Sequence, residues 1–194
     1  KLIPGLNAAF IDVGFEKDAF LHYTDLSPYV RSILKFTSES IHDKSENGID
    51  FSKFKVEPEI VKTGKIAEVL SGKPNVLVQI LKEPIAAKGP RLSCELSLPG
   101  RFVVVTPFND IIAISRKIHS SDERKRLHKI IEAIKPKNLG VIVRTAAEGK
   151  NTAELHEDLL SLVATWKTIQ TNLKGATPPA KILSEQGKTT SILR

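Results

Sequence analysis

Within residues 151–175, Leu155, Leu159, Leu162, Val163, Trp166, Ile169 and Leu173 recur every three or four positions. That spacing predicts one long helix carrying a wide apolar stripe. Asn151 or Thr152 suits its start, and Gly175 its C-terminal cap. Such a helix cannot bury its stripe alone, so the chain must supply a sheet or a second helix to lie along it. Trp166 belongs to that stripe and reads as core rather than as a platform for a nucleic-acid base.

The rest of the chain supplies strands. Two short apolar runs, 8–13 and 19–21, flank the turn-like Gly14-Phe15-Glu16-Lys17-Asp18. Residues 27–64 are polar and irregular, 38–47 most of all, and are expected to form a long insertion or mobile loop. Order resumes at 66–70. Residues 76–81 read as a strand, Lys88-Gly89-Pro90-Arg91 as a turn, and 92–98 as an alternating, half-buried strand that includes Cys94. Pro99-Gly100 marks a boundary, followed by strand-like 101–106 and 111–118. Ser120 with Glu123 has the pattern of a capping box opening a helix to about 134, stopped by Lys135-Pro136. The fold class is α+β.

Composition narrows the setting. A chain of 194 residues can bury the core of one large or two small domains. No run of eighteen apolar residues exists, so no membrane-spanning helix is expected, and the N-terminus has no signal-peptide pattern. The absence of methionine reads as the mark of a fragment, and a single cysteine fits a reducing cytoplasm. The formal charge is +7, and residues 101–150 carry eleven Lys/Arg against five Asp/Glu. That asymmetry favours a polyanionic partner. A solvated helix face accounts for Arg124-Lys125-Arg126, and less well for Arg116, Lys117 and Arg144, which border apolar strand-like runs.

The apolar run Leu139-Gly140-Val141-Ile142-Val143 ends in Arg144-Thr145-Ala146, followed by a Gly149-Lys150 loop into the long helix. A guanidinium, a hydroxyl and amides at a helix start are what a phosphate site uses. A P-loop is excluded, because Arg144 stands where glycine is needed and Asn151 where Ser or Thr is needed. Phe10 and Phe20 lie on neighbouring β runs, with Lys88 in a later turn. Two rings and a cation on one sheet face suit single-stranded nucleic acid. Strand parity sets Phe10 opposite the apolar Ile11 and Val13, which favours an accessible ring, and His22 shares Phe20's parity. Five scattered histidines and one cysteine offer no metal-ligand spacing, and no catalytic constellation appears.

Six collinear motifs resemble the ribonuclease E/ribonuclease G family of bacterial endoribonucleases. They are Ile3-Pro4-Gly5-Leu6-Asn7-Ala8-Ala9-Phe10-Ile11-Asp12-Val13-Gly14, Ala19-Phe20-Leu21-His22, Lys88-Gly89 with Leu92, Pro99-Gly100-Arg101-Phe102-Val103-Val104, Ile114-Ser115-Arg116-Lys117-Ile118 and Gly140-Val141-Ile142-Val143-Arg144-Thr145-Ala146. The resemblance implies an S1-type OB-fold β-barrel over residues 1–98, with the 27–64 insertion inside it. It implies an α+β 5′-sensor domain over 99–185, and the start of an RNase H-like subdomain over 186–194. Phe10, Phe20 and Lys88 would bind RNA. Gly100 and Val104 would flank the terminal nucleotide, Arg144 and Thr145 would hold its 5′-monophosphate, and Arg116 would support the pocket.

By the same resemblance, the parent protein is a cytoplasmic, homo-oligomeric, metal-dependent endoribonuclease that cuts single-stranded RNA in RNA processing and decay. Its catalytic residues, their Mg2+ and a cysteine-held structural zinc are expected outside these residues, leaving no catalytic residue and no cofactor here. The chain is expected to start within the first strand of the barrel. Two rival readings are a non-enzymatic OB-fold binder of single-stranded RNA and a small-molecule phosphate-binding domain.

Overall fold

The computed structural model describes residues 1–45, 48–84 and 89–184. Among these residues nine strands form two sheets. The first holds β1 (Leu2–Ile3), β2 (Ala8–Ile11), β3 (Ala19–His22), β4 (Gln79–Lys82) and β5 (Arg91–Ser93) in the order β1-β2-β3-β5-β4. Its pairings are antiparallel except β3 with β5. The second holds β6 (Leu98–Pro99), β7 (Val103–Pro107), β8 (Ile112–Ile114) and β9 (Leu139–Val143) in the order β6-β7-β9-β8, with β8 and β9 parallel. The described residues also form the helices α1 (Val30–His42), α2 (Ile66–Val69), α3 (Ser121–Ile134) and α4 (Thr152–Leu173). Among the described residues no helix is long and apolar enough to cross a membrane.

The class is α+β, as expected. The first sheet is open among the described residues, with β1 and β4 as its edges, so the expected closed barrel is not seen. Its strands run only two to four residues, because local hydrogen bonds end them early. The Asp12 carboxylate accepts the Gly14 N–H at 2.9 Å and turns the chain after β2. The single strand read over 92–98 is instead two: the Ser93 hydroxyl accepts the Glu95 N–H at 2.9 Å, and β5 and β6 join different sheets. Cys94 lies in that turn, fully buried rather than half-buried, and burial first, then the Asp25 charge, pushes its thiol up to about 12. The strand read over 76–81 begins only at Gln79, and that over 111–118 stops at Ile114. The expected RNase H-like segment, 186–194, lies outside the described residues.

The largest correction concerns residues 27–64. This stretch is not a loop but carries α1 and a 3-10 turn, Phe51–Lys53. Phe36 of α1 is 0% exposed and meets Phe51, Phe54, Phe108 and Trp166 with ring centroids 5.4–5.6 Å away. Asn138, in the left-handed region at φ 63°, donates its amide to the carbonyls of Phe51 and Phe54 at 2.8 and 2.9 Å. The polar look of α1 hid one apolar face, because its buried positions include Ser32, Thr37 and Ser40 beside Val30, Ile33 and Phe36. Thr37 satisfies its hydroxyl on the Ile33 carbonyl at 2.7 Å.

Helix α4 is therefore covered on two sides. It packs on β6 and β7 of the second sheet and on α1, with α3 beside it against β8. Leu155, Leu159, Leu162, Trp166, Ile169 and Leu173 are buried, so the stripe is core as read. We expect Phe36→Ala to lower unfolding stability by about 3–5 kcal/mol, since four aromatic neighbours would line the void. Urea denaturation of the whole chain checks this; a loss below about 1 kcal/mol is what a dispensable loop would give.

Candidate nucleic-acid interface

Strands β2 and β3 set Phe10 directly opposite Phe20, their ring centroids 5.8 Å apart and edge-on at 67°. Alternation sends Ala9, Ala19 and Leu21 to the core and leaves Phe10 37% exposed, as parity predicted. The rings border an open cleft of about 1070 Å³ that also takes in His22, Lys17, Asp18 and Arg91. His22 Nδ1 accepts the Thr24 N–H at 3.2 Å, so in the neutral ring Nε2 carries the proton. Arg91 is spoken for by Asp25, at 3.0 Å. The loop bearing Gly89 crosses so close to Asp18 that a Cβ at Gly89 would lie 2.2 Å from the Asp18 carbonyl oxygen. Lys88, the third residue read into this surface, lies outside the described residues.

The second sheet gathers the other candidates at one end. Strands β8 and β9 run parallel with Ile114 beside Val143, so Arg116 and Arg144 both follow the same sheet end. The antiparallel β7 starts there, which brings Gly100 to the same place: Arg144 N–H donates to the Phe102 carbonyl at 2.8 Å, and its Nη1 donates to the Gly100 carbonyl at 2.5 Å. Four guanidinium N–H groups remain for a ligand. Thr145 opens a 3-10 turn, Thr145–Ala147, that no side chain caps. Arg116, Arg144 and Thr145 are exposed. Val104 sits between Pro99 and Ile142, and Ile142 beside Ala113, an apolar row on the outer sheet face. Ile142 is 41% exposed, so the row offers a flat surface next to a cation.

Of the amides at the helix start expected to face an anion, those of Asn151 and Glu154 are already engaged. Asn151 and Glu154 form a reciprocal capping box on α4, with bonds of 2.9 and 3.2 Å. The Gly149 N–H donates to Glu123 at 2.8 Å. That bond also corrects the capping box read at α3. Ser120 does cap the helix, accepting the Glu123 N–H at 3.3 Å, but the Glu123 carboxylate turns away to Gly149 and to a two-pronged pair with Arg126 at 2.7 Å. Arg126 first, then the Gly149 amide, pull the Glu123 carboxyl down to about 2.

Two residues escaped sequence reading. Arg124, taken as a solvated cation, donates to the carbonyls of Ser115 and Ile118 at 2.7 and 3.3 Å and so pins the turn bearing Arg116. Asp158 of α4 accepts the backbone N–H groups of Arg101, Phe102 and Val103 at 3.0, 2.8 and 3.0 Å. A carboxylate one turn before Leu162, bordering the apolar stripe, was the available signal for Asp158.

The description "Ribonuclease E/G family" belongs to the family model that matches residues 97–194. The chain is 35% identical over 195 residues to a ribonuclease E of Nostoc sp., covering all of this chain and 24% of that protein. Over 194 residues it is 31% identical to a ribonuclease G of Haemophilus influenzae and 30% identical to one of Escherichia coli, covering all of this chain and 35% and 36% of theirs. The chain thus spans between about a quarter and about a third of these relatives.

Glu123 yields a pH prediction. Its folded value lies below the ordinary 4.5, so its stabilisation is complete above pH 4.5 and is lost as pH falls through about 2. Glu123→Gln should therefore be less stable at pH 7 and lose stability less steeply than the parent between pH 4.5 and about 2. Urea midpoints across that range measure both; parallel curves would remove Glu123 from the account.

Proposed function

The chain belongs to the ribonuclease E/G family, and we propose that it is the RNA-binding and 5′-end-sensing part of an endoribonuclease. The observation that carries this is the convergence of Arg116, Arg144-Thr145 and Gly100 at one sheet end, beside the apolar row of Val104 and Ile142. Arg144 grips the 5′-monophosphate, with the Thr145 hydroxyl adding a bond. Gly100 and Val104 flank the terminal nucleotide, and Arg116 supports the pocket. A triphosphate fits poorly because the site has groups for one phosphoryl.

Downstream nucleotides cross the first sheet, where bases stack on Phe10 and Phe20 and Lys88 follows the backbone. We read that sheet as an S1-type OB-fold. Its five strands support this, and pairing of β1 with β4 would close it. Cutting belongs to residues beyond this chain, with Mg2+ as the expected metal and a structural zinc alongside. Among the described residues no three His, Cys, Asp or Glu cluster to hold a metal, and Cys94 is buried with its thiol pushed up to about 12.

Short single-stranded RNAs ending in a 5′-monophosphate, a triphosphate or a hydroxyl test this by fluorescence anisotropy. The monophosphate RNA should bind at least roughly tenfold tighter than the others, and Arg144→Ala should erase that margin. Equal affinities that ignore Arg144→Ala would sink the sensor assignment. Phe10→Ala should weaken all three RNAs alike by about 1–3 kcal/mol, the worth of one stacked base; undiminished binding would remove the aromatic cleft from the RNA path.

A further inference from the structure

The turn of residues 100–103 provides the carbonyl that orients Arg144, and an anion already built into the chain holds that turn. Asp158 takes three consecutive amides, Arg101 and Phe102 and Val103, at 2.8–3.0 Å. Three N–H groups converging on one carboxylate form a backbone nest of the kind that binds anions, filled here by a side chain. The fit leaves no room at the neighbouring residue: a Cβ on Gly100 would lie 2.6 and 2.8 Å from the Asp158 oxygens and 2.9 Å from Leu162 Cδ1. Gly100 N–H closes the turn on the Val103 carbonyl at 2.8 Å. Its own carbonyl then faces Arg144 Nη1 at 2.5 Å, while the Phe102 carbonyl takes the Arg144 N–H at 2.8 Å.

We propose that Asp158 is a positioning residue for the 5′-end site, fixing the Gly100 carbonyl so that Arg144 is held ready for a terminal phosphate. The proposal rests on the sensor reading above. The rigid base of the device is α4, whose Leu155, Leu159 and Leu162 bracket Asp158 and are buried. Because Asp158 spends its charge on amides, it stabilises the turn without occupying the four N–H groups of Arg144 left for a ligand. Glycine at 100 suits this arrangement, since a Cβ there would press on the carboxylate and on Leu162.

The test uses the whole 194-residue chain with Asp158→Asn and Asp158→Ala, titrated with monophosphate and hydroxyl RNAs of one sequence. Asp158→Asn keeps the shape but replaces one acceptor oxygen with a donor. Both variants should lose monophosphate preference by at least roughly tenfold, the worth of a charge-assisted bond, while hydroxyl RNA binds as before. A purely structural role would weaken both RNAs together. Wild-type preference in a folded Asp158→Asn chain overturns this proposal and leaves the sensor reading standing. A parent chain with no preference overturns both. Loss of folding in both Asp158 variants overturns it in favour of a structural staple.

Discussion

Everything in this fold hangs on the need to cover a 22-residue helix on two sides. One flank of α4 lies on the second sheet, and Trp166 turns into a cluster of Phe36, Phe51, Phe54 and Phe108 contributed by three other parts of the chain. Edge-to-face and stacked rings at 5.1–5.9 Å hold that cluster together beyond its area burial. The core it belongs to also reaches Ala9, Leu21 and Leu92 of the first sheet. The same helix that organises the core therefore carries Asp158 to the edge of the candidate anion site.

Around that site the chain sets carboxylates against backbone amides, and Glu123 and Glu154 hold ion pairs with Arg126 and Lys150 as well. Asp158 holds the 100–103 turn, Glu123 holds Gly149, and Asn151 with Glu154 holds the start of α4. Isolated surface pairs contribute little to stability. Amides gathered by a carboxylate are different: they settle the shape of turns that no periodic structure would define. The result is a pair of exposed cations, Arg116 and Arg144, on turns pinned by backbone hydrogen bonds.

Legibility followed range. The stripe of α4, the end of α3 before Pro136 and the outward parity of Phe10 depend on neighbours within a turn or a strand, and each was read from spacing. The stretch 27–64 was misread because its apolar residues are few and its helix buries serine and threonine. Their value lies in partners over fifty residues away, Phe108 and Trp166, which no local pattern reveals. The Glu123 error has the same origin: a capping box and a tie to Gly149 look alike until the loop 26 residues later is in place.

The sequence by itself determined the α+β class, the long helix and the residue types suited to a phosphate and to stacked bases. Periodicity and side-chain chemistry are local properties, and they survive without coordinates. Tertiary structure alone decided that β8 and β9 end together, that Arg144 faces the Gly100 carbonyl and that Asp158 underlies both. Those are meetings of residues 44 and 57 positions apart. Pairing of β7 with β9 makes the first meeting, and packing of α4 against the sheet makes the second.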